Sequence, residues 1–118
     1  MFDVHHDGDV AILTVTQPLE GFHRLVARRQ IDELLDAGTV RLVLDLSGVR
    51  IMDSSGVGSL VAAHHRARAA GGAVCLCQVP PKVQRTFDVM LLHQILPIRE
   101  TRHEAVAHVR ELSSATDD

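Results

Sequence analysis

The chain has 118 residues, enough for one domain whose core needs neither disulfide nor metal staples. Hydrophobic residues make up 46% but aromatic residues only 3%, with no Trp and no Tyr, so the core must be aliphatic and base-stacking platforms for single-stranded nucleic acid are excluded. A formal net charge of -3 leaves no basic footprint for direct DNA or RNA binding, and no apolar run approaches the length needed to insert into a membrane.

In chain order, "FDVHH" and "VAILTVT" read as two short strands around Asp7-Gly8-Asp9, since Asp-Gly is a hairpin signal. The opening "MFDVHHDGDV" has neither a basic n-region nor an apolar h-region, so no secretory signal is expected. "QPLEG" breaks the pattern. A helix is predicted from Phe22 to Ala37, with Ala27, Ile31, Leu34 and Leu35 on one face and Gly38 as its C-cap. Phe22, Leu25 and Val26 fit that stripe less well. "VRLVLDLS", 40–47, reads as a buried strand.

A second helix is predicted over 55–70, where Val57, Leu60, Val61 and His64 share a face and Gly71-Gly72 stops it. "AVCLCQV" is another strand. It carries Cys75 and Cys77 on one face, poorly placed for a mutual disulfide and best read as buried reduced thiols in a reducing cytoplasm. Pro81 opens a third helix whose apolar stripe is Val83, Phe87, Met90 and Leu91. A short strand near Ile98 and a last helix over 102–112, burying Ala105, Val106 and Val109, complete the pattern. Residues 113–118, "SSATDD", read as a polar, frayed tail. The alternation predicts a single α/β domain over 1–118, ordered over about 2–112. Its sheet is mixed but mainly parallel, of four to five strands, packed with about four helices.

Chemistry concentrates in "IMDSSGVGSL", 51–60, where a strand hands over to a helix. A hydrolase nucleophile elbow needs Gly two places before the serine; Ser54 has Met52 there and Ser55 has Asp53. A Walker loop needs Gly-Lys-Ser/Thr, and Lys82 is the only lysine. "GVGSLV" departs from the dinucleotide fingerprint at Val61. The pairs His5-His6 and His64-His65 diverge on a strand or a helix, so no metal site is expected. Either Asp53 or Ser54 can cap the helix. Capping does not require Gly56 and Gly58, which weaken the first turn but let another molecule approach the serines. An unshielded hydroxyl at a helix N-terminus suits a phosphoryl acceptor.

With these residues assembled, "VLDLSGVRIMDSSGVGSLV" resembles the signature of the STAS family, and specifically of the anti-sigma factor antagonists. "PPKVQRTFDVMLL" is similar to a second family segment, matched by Pro81, Val83 and Phe87. "TQPLEG" stands where the family has its loop after the second strand. The resemblance implies a protein that binds an anti-sigma factor that is also a serine kinase, thereby freeing a sigma factor. It implies Ser54 as the phosphoacceptor and a phosphatase that reverses the modification. Asp53 and Glu20 become its acidic surround, and Ser55, Gly56 and Gly58 become partner-binding positions. ATP and magnesium would belong to the partner, so the chain is expected to hold no cofactor and to be no enzyme. A monomer or weak dimer suffices. The alternative within the same fold is an accessory subunit of a lipid-trafficking ABC assembly, docking through the same helix without kinase control.

The sequence departs from the family pattern in two places. The loop usually reads Gly-Glu-apolar-Asp, and here it is Gln17, Pro18, Leu19, Glu20. The family tends to have Gly where this chain has Leu91, whose side chain must pack inward or add an apolar patch. Arg24, Arg28, Arg29, Arg66 and Arg68 lie on the first two helices, as a solvated face or as a rim for an acidic partner.

Overall fold

The computed structural model describes residues 2–16 and 21–115. The loop Gln17 to Glu20 and residues 116–118 of the expected tail lie outside the described residues. Strands β1 (Phe2–Asp7) and β2 (Val10–Val15) pair antiparallel, with Asp7 opposite Val10. Gly8 takes the positive φ that a two-residue hairpin loop needs. After α1 (Gly21–Asp36), β3 (Arg41–Asp45) pairs parallel with β2. After α2 (Ser54–Ala69), β4 (Ala73–Cys77) pairs parallel with β3. The sheet order is β1-β2-β3-β4. Helix α3 (Pro81–Val89), a 3-10 turn (Leu92–Gln94) and α4 (Arg102–Ala115) follow.

Period-two alternation along the strands builds two cores. Leu13, Leu42, Leu44, Val74 and Leu76 face α1, α2 and α3, which bury Ala27, Ile31, Val57, Leu60, Ala63, Val83 and Phe87 against them. Val10, Ile12, Val43, Cys75 and Cys77 face α4, which supplies Ala105, Val106 and Val109. The buried positions of α1, α2 and α4 follow the 3.6-residue period read from the sequence, and in α3 Val83 and Phe87 do. The α2-to-β4 turn is tight: Gly72 N–H reaches Ala67 O at 2.8 Å, and a Cβ on Gly72 would collide with the Val40 carbonyl.

Four expectations need correction. There is no strand near Ile98; one parallel bridge joins it to Leu76, because the preceding Pro97 has no N–H to continue a ladder. The predicted strand over "AVCLCQV" stops at Cys77, since Gln78 adopts φ 55, outside extended geometry. The third helix ends at Val89: Leu91 sits in the left-handed region at φ 54, ψ 36, so neither it nor Met90 joins the apolar stripe, and both are exposed. The last helix also runs to Ala115, past the expected end at 112.

Candidate functional site

The residues leading into α2 are held from below. Leu46 N–H pairs with Cys77 O at 3.0 Å, Val49 N–H turns back to Leu46 O at 2.9 Å, and the Val49 and Met52 side chains are buried. These pins fix where Asp53 emerges. Ile51 between them is 71% exposed and lies on the open side.

Asp53 is the N-cap. Its backbone is extended (φ -93, ψ -179), and its Oδ1 accepts from Gly56 N–H at 2.9 Å while its carbonyl accepts from Val57 N–H at 3.1 Å. The choice between Asp53 and Ser54 as the cap, open in the sequence, falls to Asp53. Ser54 then occupies the first helical position, exposed, with its hydroxyl outside the cap. Ser55 is exposed too, and its carbonyl accepts from the Ser59 hydroxyl at 3.1 Å. The two glycines differ. Gly56 is buried against the body of the domain, so it does not open the approach to the serines. Gly58 is exposed, and nothing stands within 4 Å of where a Cβ would be, so the clearance belongs to Gly58. The structure therefore brings together Asp53, Ser54, Ser55, Gly56 and Gly58. Glu20 lies outside the described residues.

At the C-terminal end of β3, beneath this segment, is a charge that the sequence reading passed over. Asp45 is 3% exposed. Its Oδ1 accepts from Ser47 N–H at 2.9 Å, and its Oδ2 pairs with Arg102 Nε at 2.6 Å; the same guanidinium reaches Thr14 Oγ1 at 2.7 Å. Burial pushes the Asp45 carboxyl up, but the Ser47 backbone and hydroxyl and the Arg102 guanidinium outweigh it and hold it below the usual range. The pairing locks the first turn of α4 to the C-terminal end of the central strand β3, from which the Asp53 segment departs. Its only sequence signal is an acidic residue closing an apolar strand.

His64, on α2, is 6% exposed and accepts from Val74 N–H through Nδ1 at 3.3 Å. That amide lies on the outer side of the edge strand β4. Burial, then the nearby Arg68 and His65, push its pKa down, so the ring is neutral at pH 7. Burial likewise pushes the Cys75 and Cys77 thiols up to about 12, which makes them poor nucleophiles. Among the described residues no group of three or more His, Cys, Asp or Glu could hold a metal ion, and no helix is long and apolar enough to cross a membrane.

The five arginines of the first two helices part company. Arg66 Nε pairs with Asp32 Oδ1 at 2.7 Å, and Arg28 Nε lies 3.8 Å from Asp32 Oδ2. Arg29 turns toward Glu33 at 3.6 Å, and Arg68 donates to Leu112 O at 3.3 Å on the α4 side. Arg24, Arg28 and Arg66 line a groove of about 290 Å³ between α1 and α2 that begins at Ser55.

Comparison with known proteins agrees with this geometry. The STAS domain family model matches residues 1–105. The anti-sigma F factor antagonist of Paenibacillus polymyxa is 30% identical over 110 residues, 92% of this chain and 93% of that protein. The crystal structure of a Thermotoga maritima protein classed with the anti-sigma factor antagonists superimposes with a TM-score of 0.85 at 29% identity, covering 92% of this chain and 94% of that one. The Bacillus cell fate determinant SpoIIAA in its phosphorylated form shares the fold, with a TM-score of 0.70 at 20% identity over 92% of this chain and 99% of that one.

Proposed function

The chain belongs to the STAS domain family, and from that premise we propose that it is an anti-sigma factor antagonist switched by phosphorylation of Ser54. In its unmodified form it binds an anti-sigma factor that is also a serine kinase, and so frees a sigma factor. The kinase, using its own ATP and magnesium, transfers a phosphoryl group to Ser54 Oγ; the hydroxyl proton leaves as the O–P bond forms, and ADP departs. A phosphatase restores the hydroxyl. The chain is substrate and switch in this cycle and acts in the cytoplasm.

The observation that carries the proposal is the division of labour at the start of α2. Asp53 does the capping, so Ser54 is free for chemistry. Gly58 leaves the approach clear. A relative 30% identical over nearly the whole chain bears the name of an anti-sigma F factor antagonist. A phosphate adds about -1.5 to -2 charges at this point. Two unit charges about 5 Å apart repel by about 3 kcal/mol at an effective dielectric near 20, before salt screening. The helix dipole returns only about 0.3 to 2 kcal/mol. A coupling of roughly 1 to 3 kcal/mol against a docked partner follows, without a change of fold.

The test is phosphate mapping by intact-mass and peptide mass spectrometry on protein from its native cells, alongside Ser54→Ala and Ser55→Ala. One added phosphate that only Ser54→Ala abolishes supports the proposal. An unmodified chain under growth and stress, recovered with a membrane ATPase, overturns it.

A further inference from the structure

We infer that the groove between α1 and α2 is a second docking element for the protein partner, and that it accepts an acidic, amphipathic segment of that partner. The inference rests on the proposed partner-binding role of Ser54 and extends it along α2. The groove joins that site through Ser55, which lines it. Its floor is apolar, formed by Ala27, Ile31 and Leu60. On its lip Leu25 is 62% exposed, a large apolar side chain left outside the fold. On the opposite wall Gly58 leaves open space where any other residue would project.

The charge on this rim fixes the occupant. The chain as a whole is negative, with a formal charge of -3. The groove is the reverse: among the described residues, Arg28 and Arg66 share the one carboxylate of Asp32, while Arg24, also on its rim, makes no ion pair. Arg24 and Arg28 are four residues apart on α1, so their heads lie one helical turn apart on one face. A segment with carboxylates at that spacing and an apolar residue between them would meet both arginines and cover the floor. Two copies meeting groove to groove would set these arginines against one another, so the surplus of positive charge disfavours a symmetric pairing of this face and selects an acidic partner segment.

The experiment uses the full chain and the anti-sigma factor kinase recovered with it. Binding is measured by titration at two salt concentrations for wild type, Ser54→Glu, the double reversal Arg24→Glu/Arg28→Glu and the milder Arg24→Gln/Arg28→Gln, with circular dichroism confirming that each variant folds. The expected result is an affinity at least about tenfold lower for the double reversal, an intermediate loss for the glutamine pair, and a shallower salt dependence for both. Wild-type affinity and salt slope in the arginine variants, with binding still lost in Ser54→Glu, overturn the groove and leave the Ser54 switch standing. Loss in the arginine variants with full binding by Ser54→Glu supports the groove and overturns the switch. Failure of wild type to bind overturns both. A small anion found in the groove by native mass spectrometry, and lost on double reversal, overturns the choice of a protein segment.

Discussion

Replacing Asp53 by alanine removes the acceptor for Gly56 N–H and leaves one more unpaired donor at the start of α2. The expected cost is about 0.5 to 2 kcal/mol in urea denaturation. Ser54→Ala, one residue on, is expected to stay within about 0.5 kcal/mol of wild type, because its hydroxyl is exposed and outside the cap. That contrast separates a structural residue from a functional one, and equal losses in the two variants would contradict it. The sequence left the cap open between these neighbours. Propensity ranks Asp and Ser alike as N-caps, and only the backbone dihedrals at Asp53 decide between them. The two glycines were read alike for a similar reason: spacing alone does not tell the buried face of a first helical turn, where Gly56 lies, from the exposed face, where Gly58 lies.

At the scale of elements, the helices are legible from their apolar stripes and the central strands from short apolar runs buried on both faces. The misreadings fall where one residue breaks the backbone pattern. Met90 and Leu91 continue the α3 stripe by spacing, yet Leu91 turns left-handed and ends it. A leucine there pays about 1 to 2 kcal/mol that glycine avoids, against about 0.5 to 1 kcal/mol of extra chain entropy for glycine. Leu91→Gly is therefore expected to stabilise the domain by about 0.5 to 1 kcal/mol and to remove an exposed apolar side chain. A loss of stability in thermal melts would show that Leu91 makes a packing contribution its 50% exposure does not suggest. The bridge at Ile98 was overread as a strand because β-branched composition is visible in a sequence and a missing N–H ladder is not.

On the scale of the whole molecule, two polar contacts that each bury one titratable side chain between elements, His64 and Asp45, shape the response to pH. The folded-state pKa of His64 lies below its usual value, so its contribution to stability is intact above about pH 6.5 and is lost as pH falls through the depressed value. Protonation turns Nδ1 from the acceptor of Val74 N–H into a donor facing it. His64→Asn, which keeps an acceptor there without titrating, is expected to flatten the dependence of unfolding free energy between about pH 7 and 5. An unchanged slope would assign the effect elsewhere, with His108, also held low by burial and Arg99, the next candidate. Asp45 acts lower: its contribution is present above the ordinary carboxylate pKa and lost as pH falls below it. Neither contact was legible in the sequence. His64 read only as a member of an apolar stripe, and the Asp45–Arg102 pair spans 57 residues, so it emerges only when α4 crosses the sheet.

The central claim is that one phosphate on Ser54 switches partner binding while the fold stays as it is. Its most direct test is isothermal titration of the anti-sigma factor kinase with the chain purified in two forms, unmodified and phosphorylated on Ser54. The account predicts binding about 5- to 150-fold weaker for the phosphorylated form, with matching circular dichroism spectra. Equal affinities for the two forms would contradict it.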